Sequence, residues 1–135
     1  VRIDPINGML AHANHYTAAE LAGEERSEGR QLRNSQLRQQ RMDALLRENR
    51  GSIDATRMRT LLRDREGIPD SICRADGDRE GSDIITFASV IAEPAKETIW
   101  VAVGPPNENP YRKYEIGKTS YIPPERVRHL SRAER

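Results

Sequence analysis

The apolar positions of this chain change period several times, and each change marks an expected element. From Gly8 to Tyr16 they alternate: Leu10, His12, Asn14 and Tyr16 share one face of an extended chain with Gly8, while Met9, Ala11, Ala13 and His15 share the other. That predicts a strand. It follows Asp4-Pro5-Ile6-Asn7-Gly8, a turn whose Asn-Gly pair is the strongest two-residue hairpin signal in the sequence. Such a strand would pair back on residues at or before Val1. Thr17 to Gly29 is polar, with little to bury, and reads as a loop. From about Gln31 the period becomes helical, with Leu37, Met42, Leu45 and Leu46 on one stripe up to Asn49 or Arg50, where Gly51 stops it. A second helix starts at Asp54 as cap, with Ile53 and Met58 placed as a hydrophobic staple. Its buried face is Met58, Leu61 and Leu62, and Gly67 with Pro69 ends it. The two helices are expected to form a short antiparallel pair.

Period two then returns. Ser71 to Ala75 reads as a short strand, Ile84 to Ile91 as the most β-prone run, and Thr98 to Val103 as its antiparallel partner across the turn Glu93-Pro94-Ala95-Lys96. Tyr111 to Ile116 is predicted to be a last, half-exposed strand with its aromatics on one face. Beyond it the chain is polar, so residues 1–116 are expected to form one α+β unit and residues 117–135 a mobile tail.

Composition narrows the function. With 135 residues, 36% of them apolar and 32% charged, the chain suffices for one domain with a thin core. A net charge of +1 supplies no general field for nucleic acid or an anionic membrane. The arginines of the helical stretch, Arg30 to Arg65, are interleaved with acids and lack aromatic neighbours for base stacking, which describes a solvated face. No apolar run is long enough for a membrane span and no signal peptide leads the chain, so a cytoplasmic setting is expected. A single cysteine excludes an internal disulfide framework and a thiolate zinc cluster. Cys73, inside a short strand, reads as a buried small hydrophobe rather than a nucleophile. His12 and His15, three apart on a strand, point to opposite faces and do not converge on a metal. Asp76, Asp78, Glu80 and Gly81 imitate the start of a calcium loop, but Phe87 stands where its bidentate glutamate belongs.

One residue remains unexplained by packing. Asparagine is depleted in strands, and Asn14 is either a turn residue bonding its own backbone or a fixed amide with two N–H donors suited to an oxyanion.

Five segments in order carry a resemblance that decides between these. Leu10-Ala11-His12-Ala13-Asn14-His15-Tyr16, Arg41 to Leu46, Ser71-Ile72-Cys73-Arg74, Thr86 to Ile91, and Gly104-Pro105-Pro106 with Tyr111 together resemble the C-terminal third of the acyl-coenzyme A:6-aminopenicillanic-acid acyltransferase family, the isopenicillin-N-acyltransferase-like proteins. The resemblance implies part of an N-terminal-nucleophile (Ntn) hydrolase αββα sandwich, two stacked sheets between helical layers. It also implies an enzyme that cuts its own precursor before a cysteine. The thiolate then attacks a small-molecule acyl amide or acyl-CoA thioester, with the freed α-amino group as base and no cofactor. Asn14 matches the asparagine of the family's His-Thr-Asn-His, with Ala13 in place of threonine, and would donate to the oxyanion. His12 and Tyr16, on Asn14's face of the predicted strand, become candidates for contacting substrate. Arg79 is the nearest candidate for an arginine that the family places before the strand matching Thr86 to Ile91, a position that falls near Ser82 here. Nothing near Val1 matches the catalytic cysteine, so the nucleophile is expected on a segment or subunit N-terminal to these residues. Strands without partners would leave the chain poorly stable alone. A different class of function is also consistent with the sequence: a non-catalytic interaction module built on the Arg-rich helical pair.

Overall fold

Strong helix formers crowd the stretch from Gln31 to Leu46, and they sit in the longest element of the computed structural model, which describes residues 1–78 and 84–117. This helix, α1, runs Gly29–Glu48. Asn49 closes it, with backbone N and side-chain Nδ2 both donating to the Leu45 carbonyl at 3.1 and 2.8 Å. Gly51 then takes φ +80°, a turn conformation that a side chain would strain. The second helix, α2 (Ala55–Leu61), begins as its sequence predicts: the Asp54 carboxylate accepts from Arg57 N at 2.7 Å. Ile53 and Met58 pack against a common apolar cluster of Ala11, Leu45, Leu46 and Leu61, to which both helices contribute. Its end differs from expectation. The helix stops at Leu61 rather than near Gly67, because the Asp64 carboxylate is drawn to Arg41 on α1, which donates Nε at 3.1 Å and Nη2 at 2.6 Å. The Asp64 carbonyl, in turn, accepts from Cys73 N at 2.9 Å instead of continuing a helical ladder.

The sheet holds three antiparallel strands in the order β1 (Ala88–Glu93), β2 (Thr98–Val103) and β3 (Arg112–Glu115). β2 has the limits the sequence predicts. The β1–β2 connection is a 3-10 turn, Pro94–Lys96, followed by Glu97 at φ +50°. Trp100 Nε1 and Lys96 Nζ donate to the two Glu93 carboxylate oxygens at 2.8 and 2.6 Å, tying the turn to the strands. Ser89 and Ile91 on β1, opposite Ala102 and Trp100 on β2, form the inner face. Arginines from α2 and its C-terminal side cover that face: Arg59 lies 4.5 Å over the Trp100 ring and Arg63 5.4 Å over Tyr111. The other face leaves Val90 and Val103 exposed.

Four strand expectations are corrected. Met9 to Tyr16 is not a strand. The Asn7-Gly8 turn forms, with both residues at positive φ and Ile6 and Met9 exchanging two 3.0 Å bonds, but the ladder ends there because no described segment lies alongside to extend it. Ser71 to Ala75 is irregular and meets Thr86 at a single point, where Thr86 N donates to the Arg74 carbonyl and Arg74 N to Thr86 Oγ1. That crossing engages Thr86 away from β2; Phe87 adds one bond to the pairing, its carbonyl accepting from Gly104 N at 2.7 Å, and the strand starts only at Ala88. The expected last strand is shorter, and its aromatics do not share a face: Tyr111 precedes β3 and its OH bonds Ser89 Oγ at 2.5 Å, whereas Tyr114 on β3 is paired with Ile99 and exposed, as is the whole strand. The predicted tail from residue 118 onward, and Arg79, Glu80 and Gly81 of the acidic loop, lie outside the described residues.

Candidate functional site

Ser35 decides where Asn14 sits. It is a polar residue 2% exposed on the buried side of α1, and a buried hydroxyl in a helix needs partners. Its Oγ accepts from Asn14 N at 2.7 Å and lies 2.8 Å from His15 Nδ1. The segment is further held by Ala11 in the apolar cluster and by Tyr16 N donating to Glu25 Oε2 at 2.8 Å. Side chains from α1 and the preceding loop thus do what ladder bonds would do in a strand.

So anchored, Asn14 is exposed at the edge of a cleft of about 530 Å³, formed mainly by α1 residues on one side and Pro69, Asp70, Arg74 and Asp78 on the other. Asn14 Oδ1 accepts from Arg38 Nη2 at 2.6 Å. With the oxygen engaged, the amide NH2 group has no protein partner among the described residues. Arg38 Nε also donates to Asn34 Oδ1 at 3.0 Å, and Asn34 Nδ2 to Asp70 Oδ1 at 2.7 Å, so a chain of hydrogen bonds runs along the cleft wall. Burial, and then the like charge of Arg74, hold the Arg38 guanidinium below the usual arginine range, with Asp70 pulling the other way. Arg74 Nε is buried and lacks a protein partner among the described residues. Asp78 is held by Arg65 and by Ala75 N, which donates at 2.7 Å. The cleft therefore combines an amide donor that has no protein partner among the described residues with guanidinium groups and the carboxylates of Asp70 and Asp78, a polar lining of mixed charge.

The remaining candidates fall elsewhere. His12 and Tyr16 are exposed and outside the cleft lining, and His12 Nδ1 lies 2.6 Å from the Ala13 carbonyl oxygen. The expectation that they flank Asn14 on one strand face fails with the strand itself. A second opening, of about 540 Å³, lies between Val1–Leu10 and the Gln39–Arg47 side of α1, away from Asn14. Cys73 is fully buried and donates to Asn107 Oδ1 at 2.9 Å. Burial pushes its thiol up, opposite to what a nucleophile requires. Among the described residues no three His, Cys, Asp or Glu side chains converge to hold a metal, and no helix is long and apolar enough to cross a membrane.

The helix arginines are corrected in part. Arg30, Arg33, Arg47, Arg50 and Arg57 are exposed, as a solvated face requires, but Arg38 lines the cleft, Arg41 clamps Asp64, and Arg59 and Arg63 lie over the rings of Trp100 and Tyr111. Ser35 was equally silent in the sequence. Its one available signal was a small polar residue on the core stripe of a helix, in register with Met42 and Leu46.

No individual curated protein matches the chain. The match to the family described as "Acyl-coenzyme A:6-aminopenicillanic acid acyl-transferase" covers residues 1–108, the greater part of the 135, and takes in every cleft residue named above, so the chain belongs to that acyltransferase family.

Proposed function

We propose that this chain contributes the oxyanion donor and part of the substrate cleft to an amide-cleaving acyltransferase of the Ntn-hydrolase type. Its cysteine nucleophile is carried by a segment outside residues 1–135. The reaction transfers an acyl group from a small-molecule amide or acyl-CoA thioester to water or an amine. The cysteine thiolate adds to the carbonyl carbon, and the carbonyl oxygen becomes an oxyanion as the tetrahedral intermediate forms. Asn14 Nδ2–H then donates to it. The observation that carries this reading is the state of Asn14, which lines the cleft: its amide oxygen is taken by Arg38 at 2.6 Å, while its NH2 group has no protein partner among the described residues. A donor fixed in advance stabilises charge that develops only in the transition state. The exposed apolar face of β1 and β2, with Val90 and Val103, is consistent with a second sheet stacking there to complete the αββα sandwich.

In the complete protein, Asn14→Ala is expected to lower kcat at least about tenfold, toward the roughly 10²–10³ typical of losing one oxyanion donor. The melting temperature should stay in place, because the Ser35 anchor uses the Asn14 backbone. Asn14→Asp keeps the shape but offers only acceptors at neutral pH, and is expected to be as impaired. Near-normal turnover in either variant would remove Asn14 from the chemistry.

A further inference from the structure

A side-chain amide at the edge of a cleft is a poor catalytic donor unless something fixes its terminal torsion, which is broad and two-fold in a free asparagine. Asn14 sits on an irregular segment, so the backbone alone does not supply that constraint. Arg38 supplies it. The guanidinium spans two amide oxygens, Asn14 Oδ1 at 2.6 Å through Nη2 and Asn34 Oδ1 at 3.0 Å through Nε. Asn34 is itself oriented by Nδ2 donating to Asp70 Oδ1 at 2.7 Å. Because the guanidinium is planar, a fork engaged at both Nε and Nη2 has one orientation, and the Asn14 oxygen can meet it only with the NH2 group turned the other way.

Charge adds to geometry. Both acceptors bonded to Arg38 are neutral amides, so its charge bears directly on the Asn14 oxygen, while Arg74 and the Asp70 carboxylate in the same cleft act on it in opposite senses. A cation bonded to an amide oxygen draws electron density from the amide nitrogen and strengthens its N–H as a donor, since hydrogen bonds in series polarise one another. We infer that Arg38 is a positioning residue that locks and polarises the Asn14 amide for oxyanion donation, held in place from Asp70 through Asn34. This inference rests on the oxyanion role of Asn14. It assigns to an arginine of α1 a function that its helical position alone does not suggest.

The test is a double-mutant cycle in the complete protein, with kcat, KM and the Asn14 side-chain amide resonances as readouts. Arg38→Ala is expected to lower kcat by about 10- to 100-fold, the range for a misplaced catalytic group, with KM nearly unchanged because the oxyanion exists only in the transition state. In the Asn14→Ala background the same substitution should cost nothing further. Arg38→Lys keeps the charge without the fork and should fall between wild type and Arg38→Ala. The Asn14 Nδ2H2 resonance pair should shift in Arg38→Ala even without substrate. Three outcomes overturn the inference: an equal loss in both backgrounds, which marks a merely structural role; wild-type turnover in Arg38→Ala; or unmoved Asn14 amide resonances. If Asn14→Ala is itself costly while Arg38→Ala is silent, only the Arg38 assignment falls. A silent Asn14→Ala removes the oxyanion reading and Arg38's part with it.

Discussion

The Asn14 segment and the three-stranded sheet are both extended chain, yet they are held in opposite ways. Along β1–β2–β3 the backbone pairs with itself through continuous ladders from Ala88↔Val103 to Thr98↔Glu115, so each bond supports its neighbours. From Met9 to Tyr16 the backbone is held at separate points by side chains: the Ser35 hydroxyl, the Glu25 carboxylate and the burial of Ala11. A ladder loses little when one side chain changes. A segment hung from single side chains can be released one contact at a time, which leaves its neighbouring amide free to be aimed by Arg38.

The largest effect should come from the apolar cluster that joins the segment to the helices. Leu61 is 3% exposed and packs with Ala11, Leu45 and Leu46, so Leu61→Ala is expected to cost about 2–5 kcal/mol, read by denaturant melting. Both regions should then lose hydrogen-exchange protection together, as parts of one cooperative unit. If the β2 amides kept their protection, the sheet and the helix cluster would be separate folding units, and the contrast between them would be one of stability rather than of bonding.

Next in size is Ser35→Ala, which leaves the Asn14 N–H and His15 Nδ1 without their shared partner. An unsatisfied, partly buried group costs about 1–3 kcal/mol. The expected signature is local: faster amide exchange around Asn14, with β2 unchanged, and reduced turnover in the complete protein because the segment no longer presents Asn14 to Arg38. Equal loosening of the sheet would show that the segment is not independently anchored.

What could be seen in the sequence follows the same division. The Asn7-Gly8 turn, the Asp54 cap, the Gly51 stop and the limits of β2 are set by residues within a few positions of one another, so local chemistry is enough to place them. The strand expected from Gly8 to Tyr16 fails because alternation describes a chain that is able to pair, and pairing needs a partner that no local pattern reveals. Asn14 stood out because its residue type fits a strand poorly, and the family resemblance gave that oddity a role. Arg38 did not stand out. An arginine on a helix has the same local signature whether it meets water or spans Asn14 and Asn34, and only the fold, which brings residues 24 and 4 positions away to the same guanidinium, distinguishes them. For the same reason the clamp of Arg41 on Asp64, 23 residues apart, hid the early end of α2.

The smallest effect is a pH dependence, and it separates the two regions by what remains after protonation. The Glu25 carboxyl is held below the usual glutamate range chiefly by the backbone N–H of Ser27, then by that of Tyr16. Glu93 in the sheet turn is lowered by Lys96 and then by the Trp100 indole. A carboxyl whose folded value lies below its unfolded value, ordinarily about 4.3, stabilises the fold fully above that unfolded value. The contribution is lost as pH falls through the lower, folded value. Acidification from neutrality should therefore leave both carboxylate contacts in place until below about pH 4.3. Amide exchange, corrected for its intrinsic pH dependence, should then rise at Tyr16 and Ser27, which have no ladder to fall back on. The β2 amides should stay protected after Glu93 protonates, because the bonds from Val90↔Val101 to Glu93↔Thr98 do not involve its carboxyl. Glu25→Gln keeps an acceptor oxygen and should abolish the Tyr16 transition without touching β2. If Tyr16 exchange still rose with acid in that variant, the segment would be held by something other than this carboxylate.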